Sequence, residues 1–293
     1  MSKYLFILAE KANHSIKAMC RVLMVSTSAF YDWLAREPSE RDREDELLAT
    51  HIRAIHKASK GTYGSPRVHA ELRRGGFDVS RKRVIRIMQR LGLRARRPRK
   101  WKTTTVSTPG ATVAPNRLKR DFTAKAPNEV WTADITYMWT WEGWLYLAAI
   151  VDLFSRRVLG WAAADHMRVD LVLEAFDKAV LSRRPPAGLM FHSDRGSQFT
   201  SHRFRKALAD QGMVASMSRR GDCFDNAVSE SFFATYMNEL IHLQSWPTRR
   251  AALAATADFI DARYNTRRLH STLGYRTPAE TELEYRQQQL AAA

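Results

Sequence analysis

The sequence predicts an α/β protein: a mixed five-stranded sheet with flanking helices, preceded by small all-α regions of helix-turn-helix outline. Three observations lead there. From residue 130 on, three apolar runs rich in β-branched and aromatic residues follow one another across short turns. Strands then alternate with helical periodicities. Ahead of them, residues 15–92 carry apolar positions at helical spacing between repeated capping residues. Charge is split between the same two regions. Residues 1–120 hold 27 basic and 10 acidic side chains, whereas residues 121–293 hold 20 of each.

A chain of 293 residues, 45% hydrophobic and 26% charged, has the composition of a globular protein with a sizeable core. That excludes a wholly disordered chain. Two cysteines, Cys20 and Cys223, exclude a disulfide scaffold, and neither has a partner at zinc-site spacing. No apolar run reaches the roughly 18 residues of a membrane span. The start, with a short apolar stretch and an early Glu10, does not read as a signal peptide. The expected setting is therefore cytoplasmic, with no membrane partner. A net charge of +17 confined to the first two-fifths of the chain points to a polyanion, most often nucleic acid.

Residues 15–36 predict two short helices, with Ile16, Met19, Cys20 and Leu23 on one stripe, and Phe30, Trp33 and Leu34 on the next after a Ser26 cap. Helix-turn-helix and plain helical hairpin are equally good readings of that pair. Residues 39–59 predict an exposed amphipathic helix with Leu47, Leu48, Ile52 and Ile55 on one side. Ser65-Pro66 opens a further helix, Gly75-Gly76 ends it, and Ser80 caps another that runs to Gly92. Its apolar face is Val84, Ile87/Met88 and Leu91. On the other side Lys82, Arg86 and Arg90 recur every four residues, beside Arg83, a row suited to a DNA backbone or groove. Nothing acidic occurs between Asp78 and Asp121, so the row is expected to be free for DNA. Arg94, Arg96, Arg97, Arg99 and Lys100 then open a Thr/Ser/Pro/Gly linker that could lie along phosphates. The expected units are 1–60, 61–95, a basic linker 96–125, and a catalytic core 126–290.

In that last unit, strands are expected at 130–139, 144–151 and 157–163, a helix at 169–181, and a short strand at 189–192. A helix at 201–211, a strand at 213–217 and helices at 226–240 and 249–264 complete it. The order β-β-β-α-β-α-β-α is that of a ribonuclease-H-like fold. The tryptophans at 131, 139, 141 and 144 are expected to pack this sheet.

Three acids stand out by position. Asp134 lies inside the first strand among large apolar residues, where a carboxylate needs a partner or a metal. Asp194 directly follows the short fourth strand, at the strand end where α/β sheets bind ligands. Glu230 lies on the next-but-one expected helix, with thirty-five residues between it and Asp194. Hard oxygen ligands suit Mg²⁺ or Mn²⁺. Two such ions, roughly 3.5–4 Å apart, can activate a hydroxyl and stabilise the leaving oxygen in phosphodiester transfer. Asp152, Asp222 and Asp225 fit turn or cap roles better, and His192 fits packing or support of the second acid. Arg195 is a candidate DNA contact beside Asp194. Arg267, Arg268 and His270 are candidate phosphate contacts near the C-terminus.

The runs AMCRVLMVSTSAFYDWL, YGSPRVHAELRRGGFDVSRKRVIRIMQRLGL, WTADITYM, VDLFSRRVLGW, HSDRGSQFTS, DNAVSESFFATY and YNTRRLHSTLGYRTPAE span nearly the whole chain. Together with the thirty-five-residue gap, they resemble the second-reading-frame product of insertion sequence family three, transposases related to retroviral integrases. The resemblance implies metal-dependent cleavage and strand transfer at terminal inverted repeats, with Asp134, Asp194 and Glu230 as the acidic triad and two Mg²⁺ or Mn²⁺ ions. It implies a homo-oligomer on DNA at the bacterial nucleoid. It also implies fusion, by frameshifting, to an upstream helix-turn-helix and leucine-zipper product. Two positions depart from the family pattern. Met237 stands where a basic residue usually follows the glutamate, and Met24 stands where the first turn often has Gly. Met237 motivates the alternative of a catalytically impaired DNA-binding regulator or element remnant.

Overall fold

The computed structural model describes residues 3–96, 113–219 and 223–292. Three short helices come first: α1 (Lys3–Glu10), α2 (Ile16–Val22) and α3 (Thr27–Ala35). They close on Ile7, Met19, Cys20 and Phe30, all buried. The sequence reading anticipated α2 and α3 but not α1. Met24, in the turn between α2 and α3, takes φ +53°, the left-handed region that glycine enters without steric cost.

A second helical unit follows: α4 (Glu40–Ala58), α5 (Ser65–Arg74) and α6 (Arg81–Arg90). Ser39 and Asp42 form a reciprocal capping box at the start of α4. α4 is not the exposed helix expected. Leu48, Ala49 and Ile52 are buried against Val68 and Leu72 of α5 and Val84, Ile87 and Met88 of α6. The boundary expected at residue 60 therefore falls inside one packed unit.

The described strands form one five-stranded sheet: β1 (Val130–Thr140), β2 (Gly143–Asp152), β3 (Val158–Ala164), β4 (Met190–Ser193) and β5 (Val214–Met217). Their spatial order is β3-β2-β1-β4-β5. The first three are an antiparallel meander, and β4 and β5 run parallel to β1. Side chains alternate between two apolar layers, as the two-residue strand period requires. On one side Trp131, Ala133, Ala148 and Ile150 meet α7 (Val169–Arg183), α8 (Ser197–Thr200) and α9 (His202–Asp210). Gly160 lets α7 lie against β3, because a Cβ there would collide with the backbone of Ala175 and Ala179.

On the other side Met138, Leu145, Leu147 and Ala149 meet α10 (Ala227–Glu239), α11 (Arg249–Ala257) and the π-helical turn Asp258–Tyr264. α12 (Pro278–Ala292) closes the chain, its buried Glu282 accepting from Ser155 Oγ at 2.9 Å and Arg157 Nη1 at 3.0 Å, and also from Arg183. Of the four tryptophans expected to pack the sheet, only Trp131 is buried. Trp139, Trp141 and Trp144 lie exposed toward the tip of the β1–β2 hairpin, where Arg249 at the start of α11 donates to the Trp144 carbonyl at 3.2 Å.

Candidate active site

Pairing puts the first two acids side by side. Thr132 on β1 is in register with His192 on the parallel β4; Asp134 stands two residues further along β1, and Asp194 directly follows the end of β4. Asp134 shares the face of Thr132 and Met138, the face on which α10 packs. The third acid, Glu230, lies in the first turn of α10. Two contacts pin that turn to β1. Ser229 Oγ donates to Thr132 Oγ1 at 2.9 Å, and Asn226 Nδ2 donates to the Ala133 carbonyl at 3.4 Å. Both β1 partners immediately precede Asp134. The helix is thus fastened where its glutamate overlooks the two aspartates.

Electrostatics report the convergence. Burial, then the neighbouring Asp194 charge and the more distant Glu230, push Asp134 well above the usual carboxylate range. A single backbone donor, Ile135 N at 2.8 Å, works against this. Burial also raises Glu230. Asp194 Oδ1 accepts from Gly196 N at 2.9 Å, and a Cβ on Gly196 would press on that same oxygen at 3.0 Å. Among the described residues, no three His, Cys, Asp or Glu side chains already close round one ion. The donor set itself is all hard oxygen, with like charges facing one another, and such a set fits divalent cations that neutralise it.

The surrounding groups are satisfied internally. His192 sits between Ser216 Oγ (2.8 Å) and Ser218 Oγ (3.2 Å), and burial holds it down at about 4, so it is neutral near pH 7. Asp152 accepts from Ser155 N, Ser155 Oγ and Asn128 N, a turn-fixing role. Asp225, five residues before Glu230, is the opposite of Asp134. Arg219 and Arg120 bond it, Asn116 Nδ2 donates at 2.8 Å, and its carboxyl is held far below the usual range, chiefly by Arg219. The sequence reading assigned nothing to Asn116, Asn226 or Ser229. The only available signal was the four-residue spacing from Asn226 to Glu230, which puts both on one helix face. Asp222 lies outside the described residues.

The expected DNA contacts divide into four groups. Lys82, Arg94 and Arg96 are exposed, and half-buried Arg195 donates from Nε to the Ser218 carbonyl at 2.7 Å. Arg97, Arg99 and Lys100 lie outside the described residues. The remaining α6 arginines do have acidic partners, contrary to expectation. Arg83 bonds Asp45 at 2.7 Å and Glu44 at 2.8 Å, Arg86 bonds Asp45 at 2.5 Å, and Arg90 approaches Glu46 at 3.4 Å. The acids come from α4, far upstream in sequence and directly opposite in the fold. Finally, Arg268 is buried and bonds Glu239 through two nitrogens, at 2.8 and 3.1 Å, so it is withdrawn from solvent and its expected phosphate contact is corrected. Met237 packs half-buried against the sheet layer.

Between α5 and the outer face of α10 lies a cleft of about 500 Å³. Arg67 and Arg96 line one side, and Ser231, Thr235 and Asn238 line the other, starting one residue after Glu230.

Two integrase core domain models match residues 124–223 and 211–278, and an HTH-like domain model matches residues 42–101. The "Insertion element IS600 uncharacterized 31 kDa protein" of Shigella sonnei is 41% identical over 269 residues, 92% of this chain and 99% of that protein. "Transposase InsF for insertion sequence IS3A" of Escherichia coli K12 is 39% identical over 282 residues, 96% of this chain and 98% of that protein. The HTLV-2 integrase catalytic core in complex with magnesium overlays 55% of this chain and 99% of its own, at 18% identity and a TM-score of 0.43. The transposase relatives do not favour a regulator without catalysis. With near-complete coverage on both sides and an integrase core carrying the acids, the chain belongs to the IS3 family of insertion-sequence transposases and is a DDE-type polynucleotidyl transferase.

Proposed function

We propose that Asp134, Asp194 and Glu230 are the catalytic acids, and that they hold two divalent cations, Mg²⁺ or Mn²⁺, while the enzyme cuts and joins DNA at the terminal inverted repeats of its element. The observation that carries this is the closeness of Asp134 on β1 to Asp194 just past β4, next to a glutamate helix pinned at Thr132 and Ala133. When bound, such ions supply charge neutralisation and a more acidic attacking hydroxyl. The chain's own part is to present carboxylates whose mutual repulsion is relieved by cations. Gly196 N keeps the Asp194 carboxylate oriented, and neutral His192 supports β4 from within without adding a competing positive charge.

DNA enters this reading through exposed Lys82, Arg94, Arg96 and Arg195, joined by the run Arg97, Arg99 and Lys100. The cleft beside α10 is a path for the strand leading to Glu230, and Arg83, Arg86 and Arg90 contribute only as far as α4 releases them. Homo-oligomers assembled on paired ends, fusion to an upstream-frame product, and work at the nucleoid in the cytoplasm complete the proposal. Among the described residues no helix is long and apolar enough to cross a membrane.

A strand-transfer assay tests it, with the purified protein, its own terminal repeats and Mg²⁺ or Mn²⁺. Joined products are expected from the wild type and none from Asp134→Asn, Asp194→Asn or Glu230→Gln. Joining by any of these variants at the wild-type rate refutes the assignment of that residue.

A further inference from the structure

We propose that the segment Arg267–Pro278 is a bracket that couples the α4–α6 unit to the glutamate helix, and that Arg268 is a positioning residue acting on Glu230 through Glu239. The inference rests on the reading of Glu230 as a catalytic acid. Glu239 is the last residue of α10, nine positions and about 13 Å along the helix axis from Glu230. Its carboxylate is buried and receives Arg268 Nε and Nη2, with Arg263 Nη2 at 3.8 Å. Arg263 in turn donates to the Ser59 carbonyl at 2.9 Å and to Thr62 Oγ1 at 3.3 Å, at the start of the loop between α4 and α5.

The next residue, Leu269, is captured by the helical unit. Its amide donates to Tyr63 Oη at 2.9 Å, its carbonyl accepts from Arg67 Nε at 2.9 Å, and its side chain is buried in the α4–α6 core. Consecutive residues 268 and 269 therefore grip the two units in turn. Nearer the active site, Tyr264 meets Phe232 of α10 edge to face, with ring centroids 4.9 Å apart. On the far side, Arg74 of α5 bonds Glu280 of α12.

The chemistry of the grip argues for orientation rather than bulk stability. A buried ion pair gains little over well-packed apolar residues, because desolvating two charges offsets their attraction. What a bidentate guanidinium–carboxylate pair adds is direction. A helix held at its far end by such a pair cannot rotate about its axis, and rotation is the motion that would swing Glu230 away from Asp134 and Asp194. A helical unit engaged on DNA would then set the register of the glutamate through Leu269 and Arg268.

The test compares cleavage of a terminal-repeat duplex with cleavage of a scrambled duplex of equal length, under single turnover, with DNA affinity and melting temperature measured alongside. The double variant Glu239→Met/Arg268→Met removes both charges of the bidentate pair, and Arg263 keeps its bonds to the Ser59 carbonyl and Thr62 Oγ1. It is expected to melt near the wild type and bind terminal repeats within about twofold, yet cleave them about tenfold or more slowly and demand more Mn²⁺. Arg268→Lys is expected to recover part of the rate. Should the double variant fail to fold, Tyr63→Phe, which removes only the acceptor of the Leu269 amide, carries the same expectation with a smaller loss. Wild-type cleavage rates in the folded variant, or a loss confined to DNA affinity, overturn the bracket. Cleavage by a Glu230→Gln control instead overturns the reading beneath it.

Discussion

Like charges and opposite charges have been brought together in two parts of this molecule, with contrary results. In the sheet region Asp134 lies near Asp194 and Glu230, whose like charges add to burial in raising it, and burial raises Glu230. In the helical unit Arg83, Arg86 and Arg90 of α6 converge on Glu44, Asp45 and Glu46 of α4 and are paired. The region with zero net charge thus carries a group of neighbouring like charges, and the region with the large positive excess has neutralised part of it internally. Net charge by segment locates a partner only after the pairs made in the fold are subtracted. Asp225 sharpens the contrast, since five residues before Glu230 a buried carboxylate is fully answered by Arg219, Arg120 and Asn116.

The largest expected effect is at the proposed catalytic acids. Asp194→Asn should lower strand transfer by about 10³-fold or more with DNA affinity unchanged, as measured by single-turnover assay and filter binding. A loss of affinity equal to the loss of rate would break the contrast. Next comes the answered acid. Asp225→Ala should destabilise the protein by about 1–3 kcal/mol in urea unfolding, because Asn116 Nδ2 and the Arg219 amide lose a buried acceptor while the half-exposed Arg120 and Arg219 guanidinium groups can turn to water. Its pKa is depressed in the fold, so its contribution is present at neutral pH and disappears as acid protonates it.

Asp134 has the opposite sign. Its carboxyl is raised in the fold, so the native state holds the proton longer than the unfolded chain and stability falls as pH rises between the two pKa values. Asp134→Asn should therefore raise the melting temperature of the metal-free protein near pH 8, and Mn²⁺ should stabilise the wild type but not the variant.

How much of this was legible in the sequence follows the range of each interaction. The strands, α7, α9 and α10 showed as local apolar periodicities, and Asp134 stood out because a carboxylate inside an apolar strand is chemically conspicuous. The pairing of α4 acids with α6 arginines was not legible, because periodicity gives each helix a face but not the angle between two helices. Arg268 was misread for the same reason. Its acid lies 29 residues upstream on another element, and an arginine in a polar motif looks solvent-exposed until the fold closes over it. Helix α1 offered only a short apolar stretch, and its burial depends on contacts with α2 and α3.

Smaller effects test the paired row. Asp45→Asn should release Arg86 and loosen Arg83, which keeps Glu44, strengthen DNA binding, and steepen its dependence on salt by about one counterion in a fluorescence titration. An unchanged salt slope would mean these arginines face no phosphate even when freed. Met24→Gly, at a left-handed turn position, should stabilise the protein by up to about 1 kcal/mol without altering DNA cleavage, by chemical denaturation and the transfer assay respectively.

The central claim is that Asp134, Asp194 and Glu230 together bind divalent cations. Calorimetric titration of Mn²⁺ into the wild type and into Asp134→Asn, in two buffers of different ionisation enthalpy, tests it most directly. The account predicts that the wild type binds Mn²⁺ more tightly as pH rises and releases protons on binding, and that Asp134→Asn binds far more weakly and releases fewer. Equal binding by both proteins, with no proton release from either, would contradict it.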